Sequence, residues 1–132
     1  MATVVDEKYF GGMLRLFRTK KGMSLREVAQ RCGISAPYLS DIERGYREPP
    51  YQELLEKLMD VLALQGKTRF QLECMAYIER KKISEDLVEY LCVQAPASLE
   101  FIKKAKELKL SNEYFQVLTK VLEPAYYMEK KA

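Results

Sequence analysis

The chain has 132 residues, of which 48% are hydrophobic, and a formal net charge of +3 at pH 7. This apolar content suffices for a packed core, and no apolar run approaches the ~20 residues of a membrane span or has the form of a signal peptide. The three cysteines are widely spaced and histidine is missing, so we expect a cytoplasmic protein with reduced thiols and without disulfides, a zinc site or another cofactor.

The first predicted helix covers about residues 9–21, with apolar residues at spacings of three and four along one face. The segment from Lys8 to Arg31 carries seven basic residues against one acid, Glu27. Such a local patch matters more for contact with DNA phosphates than the net charge of the chain does. A solvated helix face is the alternative, which we favour only for Arg15 taken alone.

Two short helices joined by a tight turn are predicted at residues 24–32 and 35–44. Ser24, followed three residues later by Glu27, forms a capping box that starts the first of these helices. Gly33 can adopt the left-handed conformation that ends it and turns the chain. Ser35 caps the second helix, and Pro37 lies in its first turn, where a missing N–H costs nothing. Because two helices this short cannot bury a core alone, we expect them to expose one face of the second.

Further amphipathic patterns predict helices near residues 51–64 and 67–80, and no alternating pattern typical of a strand stands out. Three more helices are predicted after Arg80. One begins at Ser84 and is interrupted by Pro96, one begins near Ser98, and one is capped by Ser111 and ended by Pro124. The chain is therefore predicted to be all-α, with a second helical unit in its C-terminal half.

The stretch from Ser24 to Pro49 resembles the Cro/cI-type (XRE) helix-turn-helix family of DNA-binding repressors, and the resemblance covers about residues 8–64. It implies a five-helix, lambda-repressor-like DNA-binding domain at residues 1–66, with a helical C-terminal extension at residues 67–132. The C-terminal half resembles the tails of small XRE regulators that are common in phages and mobile elements. The residues that carry the family resemblance are Ala29, Gly33, Ile34, Ser35, Leu39, Ser40, Ile42, Glu43, Arg44, Gly45 and Pro49.

By this resemblance, the N-terminal residues of the helix at 35–44 read base edges in the major groove of DNA. Ala36 can offer a methyl group to thymine, and Tyr38 has the reach for a base edge or a phosphate. Asp41 either accepts a hydrogen bond from cytosine or pairs with Arg44 and reads no base.

These side chains can make few direct contacts with bases, since family members often carry glutamine or arginine at several of these positions. Arg26 or Arg47 is therefore a candidate for a guanine contact, and Arg18 and Lys20 are candidates for phosphate contacts. Glu43 would repel phosphate if it were exposed, so we expect it to be structural. The full predicted DNA-binding set is Arg18, Lys20, Lys21, Ser24, Arg26, Ser35, Ala36, Pro37, Tyr38, Ser40, Asp41, Arg44 and Arg47.

The resemblance implies a sequence-specific regulator of transcription, a repressor that binds a two-fold operator as a homodimer. Half-sites one turn of DNA apart, about 34 Å, match a two-fold protein. The C-terminal helices either form the dimer seam or only pack on the first domain, and we favour the seam. The alternative function is a protein-binding adaptor or antagonist that keeps the fold without binding DNA, its partner being a regulatory protein.

An enzyme is not expected. The sequence shows no nucleophile with an adjacent base, no glycine-rich phosphate loop and no metal-binding motif.

Overall fold

The computed structural model describes the backbone of residues 9–131 and the side chains of residues 9–123. Within this part of the chain every regular element is a helix, which confirms the predicted all-α class. The chain forms two compact units, the first ending at Ser84 and the second beginning at Glu85. The helices are α1 (Phe10–Lys20), α2 (Leu25–Cys32), α3 (Ala36–Arg44), α4 (Gln52–Val61), α5 (Gly66–Arg80), α6 (Glu85–Glu89), which continues as a π-helical turn (Tyr90–Gln94), α7 (Pro96–Glu107) and α8 (Asn112–Lys131).

The first unit is a five-helix domain around one apolar core. Helix α1 packs against α3 and α5, while α2 packs against α3 and α4. Leu72 and Ala76 of α5 are fully buried in this core. Helix α5 therefore belongs to the first unit, whose boundary falls after Ser84 and not at residue 66. The buried apolar side chains are Phe10, Leu14, Val28, Ala29, Cys32, Leu39, Ile42, Leu55, Leu58, Met59, Leu62, Leu64, Leu72 and Ala76.

Helix α4 ends three residues before the predicted limit of residue 64. Its last helical residue is Val61. Ala63 then takes a left-handed φ of 54°, and the Leu64 N–H donates to the Met59 carbonyl at 2.9 Å. Leu64 remains buried, because the turn folds it back onto the core. Its apolar character therefore reflects packing of the turn and not a longer helix.

The second unit changes helix type before Pro96, as the sequence predicts. In the π-helical turn the Ala95 N–H donates to the Tyr90 carbonyl at 2.7 Å. Ala95 itself leaves the helical region, with φ −140° and ψ 66°, since proline disfavours helical geometry in the residue before it. Pro96 then opens α7 in its first turn, two residues earlier than the predicted start near Ser98.

Pro124 does not end the last helix, and this prediction is wrong. Helix α8 continues through it to Lys131. A proline removes one N–H from the hydrogen-bond ladder, and its fixed φ near −65° is itself compatible with a helix. Passage through the proline costs the helix one backbone hydrogen bond and steric crowding of the carbonyl four residues earlier.

Candidate nucleic-acid interface

The α2–turn–α3 segment is built by local capping, as the sequence predicts. The Ser24 hydroxyl oxygen accepts the Glu27 N–H at 3.1 Å, and the Ser35 hydroxyl oxygen accepts the Tyr38 N–H at 3.2 Å. Gly33, with φ 72°, ends α2 in the left-handed conformation. Because each cap uses the serine oxygen as an acceptor, the O–H of each serine can still donate to a phosphate.

Helix α3 has one buried face and one open face. Leu39, Ile42 and Glu43 are buried beneath it. The opposite face is half-buried or exposed and carries the predicted contact residues Pro37, Ser40, Asp41 and Arg44. Ala36 and Tyr38 are half-buried and pack against the core.

A close helix crossing fixes α3 against α1. At Gly11 the two backbones approach so closely that an added Cβ would overlap the carbonyl oxygens of Ile42 and Glu43. Only glycine lets backbone approach backbone in this way without displacing either helix. The crossing sets the depth at which α3 lies on the first unit.

Arg18 is held inside the first unit and is not an exposed cation, unlike the phosphate contact expected of it. Its Nε donates to Glu43 Oε2 at 2.7 Å and its Nη2 donates to Glu43 Oε1 at 2.9 Å. Its Nη1 donates to the Met23 carbonyl at 3.0 Å. The Arg18 side chain is 12% exposed and that of Glu43 is 5% exposed. All three guanidinium nitrogens are therefore engaged inside the domain, and the expected structural role of Glu43 is confirmed.

The other predicted basic contacts remain open to solvent. They are Lys20 and Lys21 at the end of α1, Arg26 on α2, Arg44 on α3, and Arg47 after it. The ion pairs found among residues 9–123 involve none of these five side chains. They are free to pair with phosphate, whereas Lys8 lies outside the described residues.

Asp41 keeps its carboxylate available. Among the described residues no ion pair joins it to Arg44, so the alternative in which the two neutralise each other is not what the structure contains. Its backbone carbonyl accepts the N–H groups of Tyr46 and Arg47, at 2.9 and 3.3 Å. The half-buried carboxylate therefore stands on a helix end whose backbone is held by the following loop.

The loop from Gly45 to Tyr51, here called the exit loop, adds a feature that the sequence reading missed. The Arg47 guanidinium lies 5.9 Å from the ring centroid of Tyr38, within cation–π range. Tyr46 projects beside them and is 70% exposed. These three side chains line a cleft of 720 Å³ between α2, the exit loop and α4. The signal that could have found Tyr46 is a large aromatic directly after the glycine that ends α3.

No helix in the described part of the chain is both long and apolar enough to cross a membrane. No group of three or more histidine, cysteine, aspartate or glutamate side chains there could hold a metal ion.

Comparison with protein families matches residues 10–72 to a family described as a helix-turn-helix domain. The matched segment contains α1 to α4 in full and α5 from its first residue to Leu72. It also contains every residue of the predicted DNA-binding set.

Several characterised proteins resemble the chain. The HTH-type transcriptional regulator SlrR of Bacillus subtilis is 32% identical over 90 residues, which cover 68% of this chain and 59% of the relative. The HTH-type transcriptional regulator SinR of Bacillus subtilis is 40% identical over 52 residues, 39% of this chain and 47% of the relative. The transcriptional regulator ClgR of Mycobacterium tuberculosis is 44% identical over 64 residues, 48% of this chain and 55% of the relative. The matched segments thus span about half of each of these relatives.

One solved structure, a SinR protein/SinI protein complex, resembles the chain at 28% identity with a TM-score of 0.44. The match covers 77% of this chain and 99% of that one.

Proposed function

Since residues 10–72 carry the helix-turn-helix domain and the chain belongs to the XRE family of regulators, we propose that it binds double-stranded DNA sequence-specifically and regulates transcription. The observation that carries the proposal is the orientation of α3 on the first unit. Its inner face is buried by Leu39, Ile42 and Glu43, and its outer face is open along its length. A helix held in this way can enter the major groove and bring short side chains to base edges.

The contacts divide by chemistry into positioning and readout. The exposed cations Lys20, Lys21 and Arg26 flank the start of α2 and are suited to phosphate. Ser24 and Ser35 can add O–H donors from the helix N-termini, where backbone dipoles also favour an anion. These groups hold the protein on the duplex and supply little sequence information.

Base readout falls to the outer face of α3 and the exit loop. Ala36 suits a thymine methyl group, and the available Asp41 carboxylate suits a cytosine amine. Arg44 and Arg47 can reach guanine or phosphate, and Tyr38 supports the guanidinium of Arg47 from one side. The remaining members of the surface, Pro37 and Ser40, complete the contact face.

The second unit supports a homodimer. Among its described side chains, residues 85–123, Ala105 is the one that is fully buried. Many of the unit's apolar side chains are exposed, and an exposed apolar surface on a single chain is typical of a protein interface. A two-fold dimer would join two copies of α3 to half-sites one turn of DNA apart, about 34 Å. The exposed apolar side chains are Leu87, Val88, Tyr90, Val93, Phe101, Ile102, Leu108, Tyr114, Val117, Val121 and Leu122.

Of the two effects on transcription, repression requires the fewest molecular contacts. A dimer bound across a promoter blocks polymerase by occupying the site, and this mode requires no further contact. Fusion of the chain's own promoter region to a reporter separates the two outputs. Deletion of the protein should raise reporter output, whereas an activator would lower it on deletion.

Selection of bound sites from random duplex DNA, followed by titration of the recovered sequence, tests DNA binding itself. The recovered sites should have two-fold symmetry, and affinity should fall at least tenfold as salt rises from about 50 to about 200 mM. Failure to enrich any sequence would reject the proposal. A salt-insensitive complex with a regulatory protein, together with that failure, would support the adaptor function instead.

A further inference from the structure

Arg80, the last residue of α5, reaches across the first unit to the start of α4. Its side chain is buried, with the residue 8% exposed. Its Nη1 donates to the Pro50 carbonyl at 3.0 Å. The guanidinium carbon lies 5.1 Å from the ring centroid of Tyr51 and 5.6 Å from that of Tyr77, both within cation–π range. Arg80 thus lies within reach of two aromatic rings and donates to one backbone carbonyl.

A buried guanidinium is a costly way to fill this space. Its Nε and Nη2 make no hydrogen bond within the described part of the chain. Burying a cation and polar atoms in this way is unfavourable, and an apolar side chain of similar volume would fill the same space at lower cost. What arginine adds is a rigid planar group that stacks and donates in a fixed direction. The geometry therefore points to a requirement for the position of the Pro50 backbone.

That backbone is the far end of the exit loop. Pro50 has no N–H, so its carbonyl is the only backbone group through which it can be held by a hydrogen bond. At the near end, the N–H groups of Tyr46 and Arg47 are held by the Asp41 carbonyl of α3. The exit loop is therefore tied at both ends, and the exposed Arg47 forms part of the near-end tie through its own N–H.

We propose that Arg80 is a positioning residue for DNA binding, which holds the exit loop so that Arg47 faces the DNA beside α3. Arg80 is buried and does not touch DNA itself, so it acts through the Pro50 carbonyl and the Tyr51 ring. The expected effect of Arg80 on DNA affinity rests on the proposed function. The effect of Arg80 on the position of the exit loop does not, because it is a property of the DNA-free protein.

The Arg80→Met variant keeps an apolar stem and removes both the charge and the donor. At a temperature where the variant is fully folded, its affinity for the selected operator should be roughly three- to tenfold lower. Its salt slope should fall by about one unit, as expected when one phosphate contact is lost. Arg80→Lys should not restore binding, because an ammonium group lacks the planar fork of arginine. Affinity and slope equal to wild type in folded Arg80→Met would overturn the proposal.

A double-mutant cycle with Arg47→Ala tests the route of the effect. If Arg80 acts through Arg47, Arg80→Met should cost little additional affinity once Arg47 is absent. Full additivity of the two losses would overturn the proposal, since Arg80 would then act elsewhere.

Arg69→Met is the matched control on the same helix. Arg69 pairs with Asp60 at 2.7 Å and donates to the Leu64 carbonyl at 3.3 Å, so it also ties α5 to backbone, but away from the exit loop. This variant should lower the melting temperature and leave the operator affinity and salt slope of the folded protein unchanged. An equal loss of affinity in Arg69→Met would reduce the role of Arg80 to general stability and overturn the proposal.

Amide hydrogen exchange on the DNA-free protein separates this inference from the proposed function. Arg80→Met should speed exchange at the Tyr46 and Arg47 amides, which donate to the Asp41 carbonyl, and leave α1 protected. Unchanged exchange at these amides would overturn the positioning role whatever the DNA result. If wild type binds no duplex DNA but the exchange changes as expected, the proposed function fails and the positioning of the loop stands.

Discussion

Arg18 and Glu43 form a bidentate ion pair inside the first unit, with nitrogen–oxygen distances of 2.7 and 2.9 Å. The pair joins the C-terminal end of α1 to the C-terminal end of α3. The hydrogen bond to Glu43 raises the pKa of Arg18, while burial opposes the rise. A group whose pKa is raised on folding loses its contribution only as the pH climbs through the folded value, so Arg18 keeps its charge at every pH of biological interest. It is a fixed support for the contact face of α3.

Removal of Arg18 should therefore destabilise the fold and not act as the loss of a phosphate contact. In Arg18→Ala the Glu43 carboxylate is left buried without its partner, which costs about 3–5 kcal/mol of unfolding free energy. The folded fraction should keep the wild-type salt slope for DNA binding. Chemical denaturation and salt titration measure the two effects, and Lys20→Ala is the control, with normal stability and a slope lower by about one unit. A reduced slope in Arg18→Ala would restore its assignment to phosphate.

Gly11→Ala tests the crossing of α1 and α3. Alanine usually favours a helix interior by up to about 1 kcal/mol over glycine. Here the added methyl group would overlap the Ile42 and Glu43 carbonyl oxygens, so we expect a net loss of about 1–3 kcal/mol. Displacement of α3 should also weaken specific DNA binding at temperatures where the variant is folded. A melting temperature at or above that of wild type would contradict the close approach of the two backbones at Gly11.

Asp41→Ala separates base readout from phosphate attraction. Loss of the carboxylate should relax base preference at one position in each half-site, at a cost of about 1–3 kcal/mol for the operator. Removal of a negative charge near phosphate should at the same time raise affinity for unrelated DNA. Binding measured against the operator and a scrambled duplex gives both changes. If discrimination between the two is unaltered, Asp41 reads no base.

Val121→Glu tests the proposed dimer seam on α8. Val121 is 65% exposed in the single chain, so a charge there should not disturb the monomer's own packing. In a two-fold interface the substitution places two charges near the axis, and each damages the same contact. We expect monomers at micromolar concentration and a loss of operator affinity, because joined half-sites no longer raise the effective concentration of the second domain.

Gln116→Glu is the control for the added charge on the same helix, at an exposed polar position. It should remain dimeric. Sedimentation and thermal melting of wild type and both variants decide the matter. A wild-type chain that sediments as a monomer would end the dimer proposal.

Cys32 gives the first unit a dependence on alkaline pH. Burial raises the pKa of its thiol, and the nearby charges of Lys57 and Arg31 offset this only in part. The folded state therefore holds a proton that the unfolded thiol, with a pKa of about 8.5, releases. Stability from this source is complete below that value and is lost as the pH rises through the folded pKa.

Denaturation at about pH 7 and about pH 10 should consequently show a larger alkaline loss of stability in wild type than in Cys32→Ala. The comparison is made within each protein, so the cavity created by the alanine affects both measurements alike. Equal alkaline losses in the two proteins would show that the thiol does not contribute.

The local elements of this chain were determined by residues a few positions apart. The serine caps at Ser24 and Ser35, the left-handed Gly33 and Gly45, and the apolar spacing of α2 and α3 all act within one or two turns. Such interactions depend on distance along the chain, so they can be read before the fold is known. The helix-turn-helix, its open face and its family likeness followed from them.

The assignment of individual side chains to surface or interior was decided by the tertiary structure. In the sequence, Arg18 and Lys20 are two cations at the end of one amphipathic helix, and nothing local separates them. Arg18 is buried because Glu43, 25 positions away, meets it where α1 crosses α3. The bond from Arg80 to Pro50 spans 30 positions and likewise exists only after α5 closes the core. Contacts of this kind depend on where packed helices cross, and that geometry is set by the whole core and not by the spacing of neighbouring residues.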